Sequence, residues 1–457
     1  MEKFKSFITE QKDIEKYRVI VISTEHGSKA KTAERLEDEA KKLGIESYTV
    51  QMNGTYIKYD NNKYTIHKED DEKGFELDRD NTVCFMRGTP ERDSYLDLLS
   101  QLERIGIPMV NSRICLERAV DKYRTYLKLK DFGLTQPKTV LCPSPELIEK
   151  SFETLDTKFP IILKTLRGSK GVGVLFVETE RSLNSLVQTL YKMDTETDLL
   201  MQEYIKTDFD VRAIVLDGEV IAAMKRNVVE GDFRSNASQG AKVESIELTK
   251  LEIDQCIHAA KSIGGIFTGV DFIPSKNRET QNPLFLEVNS SPGTESIEEA
   301  TGLNISKILL EYFKDKKKRY TVPNDCGYYE SVTIKPFGTM VAKFDTGNSI
   351  NCTLHAEDVK IEGNQVTFKH KDKTYKTKHY GKYTSVTGGG EDDRYIVKYD
   401  MEFAGTMYKG IEFGLDNRER MGTEVLLNRK TMRKLNVIVD PQRRFMVTTK
   451  AEVKEGE

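Results

Sequence analysis

Leu284-Phe285-Leu286-Glu287-Val288-Asn289-Ser290-Ser291-Pro292-Gly293 is the stretch that decides the fold. Its first residues are apolar enough for a buried strand, and Pro292-Gly293 ends it. Glu287 and Asn289 lie two apart and therefore point to one face. Upstream, Gly269-Val270-Asp271-Phe272 sets another carboxylate into an apolar strand. If that strand is a neighbour, Asp271, Glu287 and Asn289 form an all-oxygen cluster, and hard oxygen donors suit Mg²⁺ bridging nucleotide phosphates. The competing reading, solvated carboxylates on an exposed face, sits poorly with Val270, Phe272, Leu286 and Val288. A buried carboxylate without a partner is costly.

Working outward, Ile161-Ile162-Leu163-Lys164 reads as a strand ending on a lysine, followed by Gly168-Ser169-Lys170-Gly171-Val172-Gly173 and a returning strand at Val174–Glu178. A Gly-rich hairpin can lay backbone N–H groups against phosphates without side-chain obstruction, and Lys164 could reach the same phosphates. Alone, this loop reads equally well as a tight hairpin. Between it and the carboxylates come Glu203-Tyr204, Asp210-Val211-Arg212, Lys225-Arg226 and Glu230-Gly231-Asp232-Phe233-Arg234-Ser235-Asn236. These arginines fit stabilisation of charge on a transferred phosphoryl group; their plain alternative is ordinary surface charge.

The rest of the chain frames these motifs. Its 457 residues suggest about three domains of roughly 150 residues. Tyr17–Ser23, a helix over Lys29–Leu43 closed by Gly44, and Ile45–Gln51 open an α/β domain. Asn53–Asp80 is polar and turn-rich and reads as an insertion. Thr82–Met86 and Pro108–Asn111 read as strands flanking a helix over Tyr95–Ile105. Further helices are expected over Ala119–Phe132, Lys250–Ile263 and Asn304–Lys314. The expected boundaries are 17–112, 113–200 and 201–318, with a linker from the charge run Lys314–Arg319 through Val322-Pro323-Asn324. From 325 to 457 the pattern changes to short β-rich runs between turns, including Met340–Phe344, Gln365–His370, Tyr395–Phe403, Met407–Phe413 and Val437–Val439, as expected of an all-β barrel or sandwich.

Hydrophobic residues make up 38% and charged residues 31%, and Lys plus Arg (70) nearly balance Asp plus Glu (73), so nothing demands a nucleic-acid or membrane partner. The six cysteines form no C-x-x-C pair and the N-terminus lacks an apolar signal region, which reads as a cytoplasmic chain.

Taken together and in order, QEYI, EGDFRSN, GVDF, LEVNSSPG and GLNISKIL resemble the RimK-like branch of the ATP-grasp ligases over about Arg18 to Phe313. The resemblance implies an α/β and α+β ATP-grasp fold of three subdomains that activates a carboxylate as an acyl phosphate for attack by an amine. It implies ATP and Mg²⁺ (or Mn²⁺) as cofactors. Lys122 and Lys164 would contact ATP, with Gly168, Ser169 and Gly171 in the loop. Glu203 and Tyr204 would hold the adenine edge and Asp210 the ribose. Arg234, Ser235 and Asn236 would lie near the phosphates, Arg212 and Arg234 would serve catalysis, and Asp271, Glu287 and Asn289 would bind metal. One departure is Ala237-Ser238-Gln239-Gly240-Ala241, where the family has a basic, Gly-Gly-containing stretch near the acceptor.

In the last segment, Met340–Phe344 runs into Asp345-Thr346-Gly347, the way aspartic proteases present a catalytic carboxylate, although a lone D-T-G also suits a surface turn. With Glu424–Arg429 and Leu435–Asp440, the stretch Glu330–Thr448 resembles the retropepsin-like acid-protease domains found alongside RimK-like ligases. There is no H-E-x-x-H, and His355, His370 and His379 lack zinc-ligand spacing. A water-activating pair of carboxylates would need Asp345 from each copy of a homodimer. Tyr383–Asp393 could form a flap or a plain surface loop. Asn348 and Asn428 depart from the family's small residue and glycine.

The resulting expectation is a ligase adding an amino acid, most simply glutamate, to a protein or peptide carboxylate, with the last domain trimming the product. The alternative is a small-carboxylate acceptor, the last domain serving as a non-catalytic dimerisation or binding module.

Overall fold

A computed structural model describes residues 17–24, 31–61, 63–90, 92–166, 173–194, 197–228, 242–387 and 390–449. The chain divides into two compact units, one ending at Thr321 and the other beginning at Val322.

The first unit holds three sheets that bear on the site. The leading one contains β1 (Arg18–Ser23), β2 (Glu46–Gln51), β6 (Thr82–Arg87) and β7 (Met109–Val110) in the order β2-β1-β6-β7, all parallel. Its strands are apolar runs because both faces are covered: Val19, Val21, Val83 and Phe85 face one core, Ile20, Ile22, Cys84 and Met86 another. The Asn53–Asp80 insertion is more ordered than its composition suggests. It forms an antiparallel sheet of β3 (Thr55–Asp60), β4 (Lys63–Lys68) and β5 (Phe75–Glu76), anchored by the buried side chains of Ile66 and Phe75. Those two apolar residues among many polar ones are a weak signal in sequence.

The second sheet has the order β10-β9-β11-β8, from β8 (Thr139–Cys142), β9 (Ile161–Thr165), β10 (Val174–Val177) and β11 (Leu199–Glu203). The helix expected over Ala119–Phe132 is divided. One helix, Arg113–Val120, ends before Asp121, whose side chain accepts hydrogen bonds from Tyr123 N and Arg124 N and so caps a new helix, Lys122–Asp131. Aspartate stabilises a helix start in this way, and the break places Lys122 in the first turn.

The third sheet runs β14-β13-β12-β15-β16, from β12 (Phe209–Leu216), β13 (Glu219–Asn227), β14 (Val243–Ser245), β15 (Phe267–Ile273) and β16 (Leu284–Asn289). The helix Lys250–Ile263 packs on one face; Thr249 and Glu252 form a capping box at its start and Gly264 (φ 77) closes it.

Among its described residues the second unit is all-β apart from the helix Arg429–Leu435. Six strands close into a barrel: β18 (Tyr329–Ile334), β19 (Gly338–Phe344), β27 (Val425–Leu427), β20 (Cys352–His355), β26 (Thr406–Asp416) and β25 (Gly390–Phe403), with β25 pairing back to β18. β24 (Lys382–Thr387) pairs antiparallel with β25, so the expected flap region is a hairpin. Val332, Ala342, Leu354, Val397, Phe413 and Leu427 fill the interior.

Candidate active site

On the third sheet the register gathers the motif residues. Arg212 pairs with Asp271 across β12 and β15, and Asp271 with Glu287 across β15 and β16, so three charged side chains stand in one row. Asp210 pairs with Arg226 across β12 and β13, and Asn289 lies two residues beyond Glu287. Gly269, opposite Asn289, is required by close packing: a Cβ there would stand 2.8 Å from Pro292 Cβ.

The row is tightly bonded. Arg212 donates from Nε and Nη2 to the two Asp271 oxygens at 2.6 and 2.5 Å. Arg226 donates from Nε and Nη2 to Asp210 at 2.7 and 2.7 Å, and from Nη2 to Asp271 Oδ2 at 3.1 Å. Asp210, Asp271 and Arg226 are all buried, so Arg226 is no surface charge. Burial by itself would raise the Asp271 carboxyl; the Arg212 guanidinium, then that of Arg226, outweighs this and holds it well below the usual carboxylate range. Burial would likewise lower Arg226, but Asp271 and Asp210 keep it firmly charged.

Glu287 is the more open carboxylate. Its Oε1 accepts from Asn289 Nδ2 at 2.9 Å and lies 3.8 Å from Arg212 Nη2. Among the described residues, no group of three or more His, Cys, Asp and Glu is placed to hold a metal. The donor set here is instead two carboxylates and an amide. That all-oxygen set fits a hard divalent cation, with Glu287 and the Asn289 carbonyl the most available groups and Asp271 shared with arginine.

Two lysines lie within electrostatic reach of Glu287. Lys164, on β9, donates to Gln202 Oε1 at 2.7 Å, and Gln202 Nε2 donates to Thr139 Oγ1 at 2.8 Å, a relay that fixes the ammonium. Burial lowers Lys164 to about 8, with Glu287 opposing and Lys122 adding to the effect. Burial also lowers Lys122, again opposed by Glu287. Lys122 Nζ donates to the Leu166 carbonyl at 3.4 Å. Two half-buried ammonium groups within electrostatic reach of one carboxylate are suited to holding phosphates.

At the edge of the second sheet, Glu203 Oε1 accepts from Lys138 N at 2.8 Å, and Tyr204 meets Phe176 edge-on with centroids 5.0 Å apart. Gly168, Ser169, Gly171, Arg234, Ser235 and Asn236, and the Ala237–Ala241 departure, lie outside the described residues. Residue patterns alone passed over the Gln202–Thr139 relay and a buried arginine, Arg87, at the end of β6; for the latter, Arg-Gly closing an apolar strand was the available signal. A separate 780 Å³ cavity, between the helix Lys31–Lys42 and residues 295–304, holds none of the expected site residues.

In the second unit Asp345 directly follows β19. Its Oδ1 accepts from Gly347 N at 2.9 Å, and its backbone N donates to the Leu427 carbonyl at 3.0 Å. Thr346 and Gly347 are exposed. Asn428, standing where glycine was expected, is buried and useful. Its Oδ1 accepts from Thr431 N at 2.8 Å, capping the helix Arg429–Leu435, and its Nδ2 donates to the Ile350 carbonyl at 3.0 Å. Asn348 is similarly absorbed, with Nδ2 donating to Asn351 O at 2.9 Å and Oδ1 accepting from Ile350 N at 3.0 Å.

Comparison with known proteins agrees with both halves. A family model described as the RimK-like ATP-grasp domain matches residues 119–313, and one described as the retropepsin-like aspartic endopeptidase RimB matches residues 326–450. A probable alpha-L-glutamate ligase of Methanococcoides burtonii is 32% identical over 63% of this chain and 92% of its own length. One of Teredinibacter turnerae is 31% identical over 65% of this chain and 95% of its own. Among solved structures, the ATP-grasp ligase PsnB complexed with minimal precursor superposes with a TM-score of 0.50 at 19% identity, covering 66% of this chain and 100% of that one, a likeness of fold. No described helix is long and apolar enough to cross a membrane.

Proposed function

This chain belongs to the RimK-like ATP-grasp ligases and carries a RimB-like retropepsin domain, and from that premise we propose that it joins glutamate to a carboxylate of a protein or peptide at the expense of ATP. The observation that carries this reading is the Arg212–Asp271–Glu287 row, with Lys122 and Lys164 in electrostatic reach of Glu287. In this reading Lys122 and Lys164 hold the phosphates, together with Gly168, Ser169, Gly171, Ser235 and Asn236. Glu203 and Tyr204 hold the adenine edge and Asp210 the ribose. Asp271, Glu287 and Asn289 would hold Mg²⁺ (or Mn²⁺), which when bound neutralises phosphate charge.

The acceptor carboxylate attacks the γ-phosphorus, the bond to the β-phosphate oxygen breaks, and ADP leaves. Arg212 and Arg234 stabilise the negative charge on the transferring group. The glutamate amine then attacks the acyl carbon, phosphate departs, and an amide remains after loss of a proton. Relatives named as alpha-L-glutamate ligases support glutamate as the donor. The ATP-grasp ligase PsnB, a neighbour in fold, is complexed with its minimal precursor.

For the second unit the reading is a peptidase that trims the ligated product, with Asp345 as the water-activating carboxylate. The exposure of Thr346 and Gly347 suits a turn that meets its copy in a homodimer. The test is incubation of the full chain with ATP, Mg²⁺, single amino acids and candidate peptides, read by intact mass. A ladder of glutamate additions lost in Glu287→Ala supports the reading. Amino-acid-independent ATP turnover with a small carboxylate, and no peptide product, would replace it with a small-molecule ligase.

A further inference from the structure

In the second unit the loop 417–424 joins β26 to β27. β27 pairs in parallel with β19, Val425 opposite Ala342 and Leu427 opposite Phe344, and Asp345 follows directly. The loop therefore enters the barrel wall opposite Ala342, three residues before Asp345, about 10 Å of extended chain.

Arg418 ties this loop down with two of its donors. Its backbone N donates to His355 Nδ1 at 2.9 Å and its Nε to the Thr423 carbonyl at 3.0 Å, while Thr423 Oγ1 donates to the Val425 carbonyl at 3.1 Å. Asp416, two residues earlier, is engaged elsewhere: Arg394 Nη2 lies 2.8 Å from its Oδ2. Arg394 comes from β25, where it pairs with Tyr383 of β24. Tyr383 in turn lies on Gly414, where a Cβ would collide with the tyrosine Oη.

Nη1 and Nη2 of Arg418 are left over: among the described residues they donate no hydrogen bond and form no ion pair. Arg418 is itself buried, but Asn417, Glu419 and Arg420 around it are exposed, so the loop stands at the surface. Burial lowers the Arg418 guanidinium, Asp416 opposes this, Arg394 adds to it and Asp345 opposes it, which puts Asp345 within electrostatic reach. The guanidinium stays charged at any working pH. Bracing the loop uses Nε alone, whereas a planar fork of further N–H groups matches a carboxylate.

We propose that Arg418 Nη1 and Nη2 form a subsite of the peptidase unit for a side-chain carboxylate, selecting a glutamyl residue beside the bond cleaved at Asp345. The inference rests on the peptidase reading above and names its specificity. A run of glutamates is the preferred substrate, and the same run written as glutamines is not.

Cleavage by the full chain, without ATP, would be followed by mass spectrometry on a peptide ending in a run of glutamates and on its glutamine counterpart, at about pH 6, where glutamyl side chains are ionised. Wild type, Arg418→Gln and Arg418→Lys would be compared. Wild type is expected to favour the glutamate peptide in kcat/KM roughly 10- to 100-fold, as a charge-assisted contact implies, and Arg418→Gln to bring that ratio to about 1. Arg418→Lys keeps the charge but not the fork and should fall between; it also serves if Arg418→Gln does not fold. A wild-type ratio near 1, a ratio unchanged in both variants, or an equal fall on both peptides would overturn the subsite, the last leaving Arg418 as a brace of its loop. If wild type cleaved neither peptide at any pH, the peptidase reading itself would fail, and the subsite with it.

Discussion

Arg226→Leu is the most informative single change in the first unit. The guanidinium makes two hydrogen bonds to Asp210 at 2.7 Å and one to Asp271 at 3.1 Å. Leucine would leave Asp210, 5% exposed, without this partner, and Asp271, 3% exposed, with Arg212 alone. Removing one partner of a buried ion pair costs about 3–5 kcal/mol, which in a unit of this size lowers the melting temperature by roughly 4–8 °C. The cost also has a sign in pH. The Asp271 carboxyl is held below its ordinary value, so in the native chain its pairing contributes stability above the unfolded carboxylate pKa of about 3.9 and loses it as pH falls toward the folded value. The variant lacks part of the Asp271 pairing, so the deficit is fully present at pH 7 and shrinks as pH falls toward pH 3, below the unfolded carboxylate value. Urea unfolding followed by far-UV circular dichroism, suited to a chain with no tryptophan, measures this at both pH values. Adding Asp210→Asn should recover part of the loss. A deficit below about 1 kcal/mol, or one independent of pH, would refute this account of the cluster.

Further outcomes follow from other parts of the site. Lys164 sits at about 8 and is cationic only below that, so kcat/KM for ATP should fall as pH rises through about 8; Lys164→Arg should push that limb upward, and an unmoved limb would exclude Lys164 as the titrating group. Glu287→Gln should abolish ligation while leaving metal-free nucleotide binding within about twofold by calorimetry, since it removes a cation ligand and no nucleotide contact. Asn428→Gly should lower the second unit's stability by about 1–2 kcal/mol through loss of the helix cap and the Ile350 bond, with Asn428→Asp milder; equal melting of all three would contradict the cap. Asp345→Ala should eliminate peptide cleavage without altering ligation, which a double assay on one preparation would read.

Much of this was legible in sequence where a pattern is local. Ile161–Lys164, Gly269–Phe272 and Leu284–Asn289 are strands because their apolar runs leave little choice, and Lys250–Ile263 carries its own cap and stop. Register is not local. Nothing in the residues says that Asp271 stands opposite both Arg212 and Glu287, or that Arg226 is buried against Asp210; those follow from pairing strands far apart in the chain. The break at Asp121 shows the same limit at short range, because a capping side chain competes with helix continuation and only geometry decides. Asn428 is the reverse case: read against a family pattern it was a defect, and in place it is a cap.

The measurement that tests the central claim most directly is intact mass spectrometry of a glutamyl peptide after incubation with the full chain, ATP, Mg²⁺ and L-glutamate, beside the Glu287→Ala chain. The account predicts a ladder of added glutamate residues in the first sample, with stoichiometric ADP, and none in the second. An unmodified peptide with no ADP formed, or a ladder that persists in Glu287→Ala, would contradict it.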